Sequence, residues 1–394
     1  MPKLLSVLLF FSFFLAHSQM LVTHHPNAVE YGRALSWDRE NVALKADVFR
    51  PETDDLLPLV IMVPDAFFTL KKNREGAWNQ LANDIAAQGY VVVSIDYRQG
   101  MNPDIGVLLE DEFVKAITRA VQDLYTAIEY FDLDAKSGSN HWRILPNNTY
   151  LFGYSTGAMA VLHATRYFSQ QVSLSRVDRL LRAVGGWPDN AKKDMLRSSV
   201  RGAVALAGGV IDTMMYAELD RTPLLLIQAE MDSIFPSEMG QMKVAGLPLG
   251  MVFGSEVIYR QGLQRQKLVR LLTLEGVDHD LDEFTALDDV LFSVLDFYAE
   301  LSSMLPDGRR YGRPSQSIIT RTDRMQRNEL ILRIPSEWRF PVHLVVTNGS
   351  NEVIWSEQDI RDTHTISIEG WPQGTYIFSF TYGEDTRKVI RFTL

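Results

Sequence analysis

The pentapeptide at positions 153–157, Gly-Tyr-Ser-Thr-Gly, has the residue types of a nucleophilic site. An apolar run precedes it at 149–152, and mostly small residues follow it at 158–164. This order predicts a buried strand, a sharp turn and a helix, with Ser155 at the turn in a sparsely populated backbone conformation. The hydroxyl would project above the sheet beside the helix N-terminus, while the two glycines let neighbouring backbone come close. The pattern therefore predicts a nucleophile at Ser155, and an ordinary strand-to-helix turn capped by a serine is the alternative.

A serine hydroxyl needs a base within hydrogen-bond reach, and the base needs a carboxylate that fixes its tautomer and stabilises its cation. When the serine lies on such a turn, the acid and then the histidine follow it along the chain. Seven of the eight histidines are excluded because they precede the serine, lie two turns down its helix or fall in the C-terminal region: His17, His24, His25, His141, His163, His343 and His364. His279 remains, in the loop 276–280 after an apolar run at 271–274. The sequence therefore predicts His279 as the base.

The acid should follow the strand that ends at Ile227, where Glu230 and Asp232 are the candidates. Asp278 and Asp280 flank the histidine in sequence. Side chains adjacent in sequence to a histidine seldom orient its imidazole, so these two are set aside. The residues alone leave the choice between Glu230 and Asp232 open.

The rest of the chain supplies the strands and helices that would position these residues. Continuous apolar runs, typical of strands covered on both faces, lie at 56–63, 90–95, 149–152, 204–206 and 223–227. Residues 42–49 largely alternate between apolar and polar types and predict an edge strand. Patterns that fit helices lie at 78–88, 113–131 and 286–304. Alternating strands and helices predict an α/β fold, a doubly wound and mostly parallel sheet with helices on both faces.

Several stretches together resemble the α/β-hydrolase superfamily, in its secreted carboxylesterase branch. They are Ile-Asp-Tyr-Arg at 95–98, the segment 119–128, the Gly-x-Ser-x-Gly turn with 162–164, the segment 252–255, and the turns that carry the acid and the histidine. The resemblance covers residues 30–303 and implies a serine carboxylesterase that works through an acyl-enzyme. The turn at 228–236 is similar to the family's turn, in which an aspartate precedes a Val-Pro-like pair. The resemblance therefore implies Asp232 as the acid, with Glu230 as its rival.

The resemblance also implies an oxyanion hole, which stabilises the negative charge that forms on the substrate oxygen. One donor would be the Thr156 N–H, at the head of the helix that follows the serine. The other normally comes from a His-Gly-Gly loop, where this chain has Pro-Asp-Ala-Phe-Phe at 64–68 and places Ala66 at the donor position. Loss of one donor would lower the rate roughly a hundredfold or more. Asp65 would oppose the developing charge unless its side chain turns away.

Two further features concern the substrate. Phe67 and Tyr154 lie beside the oxyanion loop and the serine in sequence and are predicted to bind the substrate. The insertion at 167–199 carries an apolar stripe with arginines facing away, which predicts either a lid over the site or a helix packed on the domain surface.

Residues 1–18 have the pattern of a secretory signal peptide. An early lysine precedes an apolar stretch at 4–16, and Ala-His-Ser then places a cleavage point before Gln19. The stretch is short for a bilayer span, and a buried N-terminal helix is the alternative. We therefore expect a secreted protein, extracellular or at the cell surface, with a hydrolase domain at 19–304 and no stable membrane insertion.

The composition changes after the hydrolase domain. Residues 305–322 are rich in Pro, Gly and Ser and predict a linker, and short apolar runs at 323–394 predict a small β-sandwich. The segments 371–377 and 387–392 resemble the C-terminal sorting domain of type IX secretion. The chain lacks that domain's Pro-Asn-Pro-like opening and its basic terminal residue, which leaves a carbohydrate-binding or structural sandwich as the alternative.

Composition excludes other classes of function. The net charge of −10 argues against nucleic acid and anionic membrane surfaces as partners, and the absence of cysteine excludes disulfides and thiolate metal sites. No cofactor or metal is predicted. The expected partners are a small-molecule or polymeric ester and, through the C-terminal domain, the secretion machinery. Two alternatives stay open: a catalytically weak or dead hydrolase-like binding protein, and a serine peptidase of the prolyl-oligopeptidase type, which would normally carry an N-terminal propeller.

Overall fold

The structure is a computed structural model of the 394-residue chain. It describes residues 20–66, 76–102, 109–166, 179–180, 182–186, 198–211, 222–244, 246–274, 276–280, 287–303, 319–321, 329–333, 341–348, 350, 352–360, 363–372, 375–382 and 386–393. The predicted signal peptide lies outside the described residues, as do Phe67 and most of the insertion at 167–199. None of the helices within these ranges is long and apolar enough to span a membrane.

An eight-stranded sheet forms the larger part of the fold, in the order β1-β2-β4-β3-β5-β6-β7-β10. Its strands are β1 (Val22–Leu35), β2 (Asn41–Pro51), β3 (Leu57–Val63), β4 (Val91–Ile95), β5 (Ile144–Tyr154), β6 (Val200–Leu206), β7 (Leu224–Ala229) and β10 (Val269–Leu274). The six strands from β4 to β10 in this order run parallel to their neighbours, while β1 and β2 are antiparallel. A separate antiparallel hairpin consists of β8 (Met239–Val244) and β9 (Leu247–Phe253).

Within the described ranges, the helices beside the sheet include α1 (Gly76–Ala87), α2 (Leu109–Lys136), α3 (Thr156–Arg166), α4 (Ser255–Gln264) and α5 (Leu287–Ser303). Alternate residues of the fully buried β3 enter two different cores. Leu59 and Ile61 belong to the core that α2, α3 and α4 cover, whereas Val60 and Met62 belong to the core that α1 and α5 cover. The predicted fold class is confirmed: this is a doubly wound α/β fold, with helices on both faces of a mostly parallel sheet.

The prediction of an edge strand at 42–49 is wrong, because β2 lies between β1 and β4 and the edge is β1. The polar residue that produced the alternation, Asp47, is buried and accepts a hydrogen bond from the Asn27 N–H at 2.6 Å. The polar sequence of β1 carries little apolar alternation, so it gives no clear strand signal. The charged residues of β2 therefore give it the alternating sequence pattern of an edge strand, although it lies inside the sheet.

The C-terminal region is a β-sandwich, as predicted. Its strands are β11 (Ile319–Arg321), β12 (Glu329–Arg333), β13 (Val342–Thr347), β14 (Val353–Ile360), β15 (Thr363–Ser367), β16 (Thr375–Tyr382) and β17 (Thr386–Thr393). They form a three-stranded sheet, β11-β12-β15, and a four-stranded sheet, β14-β13-β16-β17. Leu332 and Ile366 from the first sheet share one apolar core with Leu344 and Phe378 from the second. Strand β11 lies inside the predicted linker 305–322, so the sandwich begins before residue 323.

A local contact accounts for the aromatic residues of segment 371–377. The Tyr376 hydroxyl donates to the carbonyl oxygen of Pro372, four residues upstream, and the Trp371 and Tyr376 ring centroids are 5.0 Å apart. The arrangement resembles the tyrosine corner of immunoglobulin-like sandwiches. These residues therefore have a structural role, whatever else the segment does.

Candidate active site

Ser155 lies at the sharp turn between β5 and α3. Its φ of 56° is in the left-handed region that non-glycine residues rarely adopt. A Cβ on Gly153 would lie 2.4 Å from the Gly157 carbonyl oxygen, and one on Gly157 would lie 2.0 Å from the Val63 carbonyl oxygen. Both glycines are therefore required sterically, and the second lets α3 begin directly against the end of β3.

The structure brings Ser155, His279 and Asp232 together from three separate turns. The Ser155 Oγ is 2.8 Å from His279 Nε2, and His279 Nδ1 is 3.0 Å from each carboxylate oxygen of Asp232. All three side chains are buried. The order serine, imidazole, carboxylate is that of a proton-transfer chain, in which the imidazole accepts the serine proton while the carboxylate fixes its tautomer.

The turn after β7 holds Asp232 and Glu230 in different roles. Asp232 Oδ1 accepts hydrogen bonds from the N–H groups of Ile234 at 3.0 Å and Phe235 at 2.7 Å, which stabilise its negative charge. Glu230 Oε2 accepts from the Gly276 N–H at 3.1 Å, at the start of the histidine loop. Of the two carboxylates between which the residues alone leave the choice open, Asp232 is the one bonded to the imidazole.

Two aromatic residues lie beside the imidazole. The ring centroids of Tyr154 and Phe235 are each 5.6 Å from that of His279, with interplanar angles of 24° and 25°. The Tyr154 hydroxyl donates to the His279 carbonyl oxygen at 2.7 Å. The hydroxyl of Tyr154, which the sequence predicts to bind substrate, is therefore engaged with the backbone of the histidine.

The two loops that carry the acid and the base are also joined directly. Asp278 Oδ1 accepts hydrogen bonds from the Ser233 N–H at 2.9 Å and the His279 N–H at 2.6 Å. Both bonds lower the pKa of Asp278, and the bond from the Ser233 N–H has the larger effect. The carboxylate therefore stays ionised at neutral pH and links the residue after the acid to the base.

The oxyanion side of the site is a hydrogen-bonded cluster centred on the Thr156 hydroxyl. The Ala66 N–H donates to Thr156 Oγ1 at 3.1 Å, and Thr156 Oγ1 donates to Asp65 Oδ1 at 2.5 Å. The Tyr97 hydroxyl lies 3.1 Å from the same Oγ1 and donates to the Pro64 carbonyl oxygen at 2.9 Å. The Ala66 N–H thus points at Thr156, and a substrate oxyanion can use it only by sharing or displacing this bond.

The charge and protonation of this cluster follow from burial. Burial, and after it the charge of Asp65, raise the pKa of Tyr97 well above its usual range. The phenol therefore stays a proton donor. The Asp65 carboxylate is turned towards the Thr156 hydroxyl, from which it accepts a hydrogen bond.

The insertion at 167–199 is attached to α2 where it is described. The Gln122 side-chain amide donates to the carbonyl oxygens of Val184, at 3.0 Å, and Gly186. Arg98 in turn donates to Gln122 Oε1 at 2.7 Å and forms a buried ion pair with Asp123 at 2.8 Å. This part of the insertion packs on the domain, and the remainder lies outside the described residues.

Sequence reasoning missed three residues that contact this site: Tyr97, Phe235 and Asp278. Tyr97 follows β4, which neighbours β3, so the shared carboxyl edge of parallel strands places it near residues 64–66. Asp278 is set aside because neighbouring side chains seldom orient an imidazole, but it binds backbone N–H groups instead. The sequence signal that could have identified Asp278 is a carboxylate directly before the predicted base, where it can accept backbone N–H groups of the two neighbouring loops.

The sequence matches no protein-family model and no curated protein. Among solved structures it is similar to a brefeldin A esterase described as a bacterial homologue of human hormone-sensitive lipase, with 14% identity, 73% of this chain and 79% of that chain covered, and a TM-score of 0.45. It is also similar to Thermogutta terrifontis esterase 2 phosphorylated by paraoxon, with 13% identity, 73% and 96% coverage, and a TM-score of 0.45. The function is therefore inferred below from the geometry of the site itself.

Proposed function

We propose that this protein is a serine carboxylic ester hydrolase. The observation that carries the proposal is the continuous hydrogen-bonded chain from Ser155 Oγ through both nitrogens of His279 to Asp232, with links of 2.8 and 3.0 Å. A serine on a strained strand-to-helix turn, within reach of an imidazole that a carboxylate orients, is the arrangement that activates a hydroxyl near neutral pH.

In the proposed reaction the Ser155 oxygen attacks the ester carbonyl while His279 Nε2 accepts its proton. The carbonyl oxygen becomes negative, and the Thr156 N–H, in the first turn of α3 where backbone donors lack intrahelical acceptors, stabilises it. Protonated His279 then donates to the departing alcohol oxygen, leaving an acyl-serine. Water attacks this acyl group with His279 again as the base, which releases the carboxylic acid and restores the serine.

Hydrolysis of a chain-length series of nitrophenyl esters tests the proposal. We expect the wild-type protein to release nitrophenol and Ser155→Ala to lose activity by several orders of magnitude. The variant should keep its thermal midpoint, because the turn accepts a smaller side chain. Near-wild-type activity of Ser155→Ala would assign the nucleophile to another residue.

One observation favours a second candidate, a catalytically weak or inactive binding protein on this scaffold. The Ala66 N–H, the expected second oxyanion donor, is bonded to Thr156. The peptidase alternative gains no support of this kind. A wild-type protein inactive on every ester, yet binding a carboxylic ester or acid by calorimetry, would support the binding protein.

We further propose that the protein is exported and that the C-terminal sandwich serves in sorting. The signal-peptide pattern at 1–18 and the resemblance of 371–377 and 387–392 to a type IX sorting domain support this. In the producing cell, truncation after Met304 should stop release while leaving ester hydrolysis in cell lysates. Lost binding to a polymeric substrate with normal release would instead favour a binding module.

A further inference from the structure

Besides the three residues of the proposed triad, one carboxylate touches both the acid-bearing and the base-bearing loops. A single oxygen of Asp278 accepts the N–H of Ser233, the neighbour of Asp232, and the N–H of His279 itself. We propose that Asp278 is a positioning residue for the proposed catalytic base, fixing the His279 backbone onto the turn that carries Asp232. The inference rests on the proposed esterase function.

The geometry shows why this contact matters. Imidazole alignment depends on the position of the His279 Cα, because the ring must reach Ser155 on one side and Asp232 on the other. Asp278 holds the His279 N–H, and the Tyr154 hydroxyl holds the His279 carbonyl. The peptide groups on both sides of the Cα are therefore tied to different elements, one to the acid turn and the other to the end of β5.

A second carboxylate links the same two loops and shows what is special about Asp278. Glu230 Oε2 accepts the Gly276 N–H, three residues before the histidine. Both links join the turn after β7 to the loop after β10, but only that of Asp278 ends on the base. A general tethering role would make the two equivalent, whereas a positioning role makes them different.

The test measures kcat and KM for nitrophenyl ester hydrolysis by the full-length protein carrying Asp278→Ala, Asp278→Asn or Glu230→Ala. A displaced imidazole slows the chemical step, so we expect Asp278→Ala to lower kcat about tenfold with KM within about twofold. Asp278→Asn retains an oxygen that can accept both N–H bonds and should restore kcat to within about threefold of wild type. Glu230→Ala should change kcat by less than about twofold, since its bond lies away from the imidazole.

Three results would overturn the inference: an unchanged kcat in Asp278→Ala, equal losses in Asp278→Ala and Glu230→Ala, or an Asn variant as slow as the Ala variant. Asp278→Ser, whose hydroxyl is too short to reach both N–H groups, replaces Asp278→Ala should that protein not fold. Labelling of Ser155 by a fluorophosphonate, followed by intact mass, separates the two levels of the proposal. A wild type inert to both ester and label overturns the proposed function as well, whereas an active wild type with an unaffected Asp278→Ala overturns the positioning role alone.

Discussion

The proton-transfer half of the site and its oxyanion half are built on the ends of neighbouring parallel strands, yet they are held in different ways. In the first half, Ser155, His279 and Asp232 are bonded to one another in the order that proton transfer requires. In the second half, the Ala66 N–H and the Thr156 hydroxyl are bonded to each other. The first half is therefore aligned for proton transfer. In the second half, the Ala66 N–H already donates its hydrogen bond to another group of the protein.

The difference shows where the barrier to catalysis should lie. A proton-transfer chain works through fixed internal contacts, so complete bonding favours it. An oxyanion hole works through donors that the transition state will use, so an internal bond to a donor competes with the substrate. Removing contacts of the proton-transfer half should therefore lower kcat. Removing the internal contact of the oxyanion half should raise it.

The largest effect should come from breaking the proton-transfer half at its acid. Asp232→Asn keeps the shape but removes the charge that stabilises the imidazolium and selects its tautomer. We expect kcat to fall about ten-thousandfold. The matched control, Glu230→Gln in the same turn, should remain close to wild type in a nitrophenyl ester assay. A comparable loss in both variants would mean that the turn, and not the Asp232 carboxylate, is what matters.

A smaller effect of opposite sign should follow from releasing the oxyanion half. Thr156→Val keeps the branched shape and removes the hydroxyl that accepts the Ala66 N–H. The freed donor then bonds mainly to the transition state, and we expect kcat to rise about tenfold with little change in KM, which corresponds to about 1.4 kcal/mol.

Thr156→Ser is the control, because it keeps the hydroxyl and should keep the wild-type rate. A drop in kcat for Thr156→Val would show that the Thr156 hydroxyl organises the oxyanion hole. In that case the two halves would not differ in the way proposed. Stability should fall in Thr156→Val by about 1–3 kcal/mol, since a buried N–H loses its partner, and thermal unfolding measures this separately.

Tyr154→Phe distinguishes a residue of the proton-transfer half from a substrate-binding residue. The change removes the hydroxyl that donates to the His279 carbonyl and keeps the ring beside the imidazole. A few-fold lower kcat with unchanged KM is expected if the hydroxyl positions the base. A raised KM with unchanged kcat would instead support the substrate-binding role that the sequence suggests.

Much of the fold follows from patterns that the chain displays openly. Apolar runs predict the parallel strands because these are covered on both faces, and the glycine pair around Ser155 predicts the turn because a Cβ at either place would collide with backbone. Strand β1 is different. Its residues are mostly exposed and polar, so its place at the edge depends on pairing with β2, which no local pattern reports.

The candidate site likewise contains residues that the sequence predicts and contacts that it does not. Chain order and elimination pick out Ser155 and His279, because few residues of the right type lie in the right place. Resemblance is needed to choose Asp232 over Glu230, since two carboxylates in one turn have the same local pattern. The Thr156–Ala66 bond could not be predicted at all, because it joins residues 90 positions apart through a side-chain rotamer.

The smallest expected effect concerns pH and the link between the two triad loops. Backbone N–H groups lower the pKa of Asp278, so its ionised form is favoured in the folded protein. The resulting stability is present above the ordinary pKa of an aspartate and is lost as the pH falls through the lowered value. The thermal midpoint of wild type should exceed that of Asp278→Asn by about one or two degrees at neutral pH, because the group is exposed, and the two should converge in acid.

Asp38 provides a matched comparison, because its pKa is also lowered, mainly by the hydroxyl of Ser36, on an exposed turn that touches no residue of the proposed triad. Asp38→Asn should likewise have a lower thermal midpoint than wild type at neutral pH, and this difference should disappear as the pH falls over an acidic range, without any change in kcat. In Asp278→Asn, any loss of kcat at neutral pH should track the midpoint difference as the pH falls, since both would report the negative charge of Asp278 that strengthens its two N–H bonds. If the difference in thermal midpoint between wild type and Asp278→Asn persists in acid, the charge of Asp278 is not its cause.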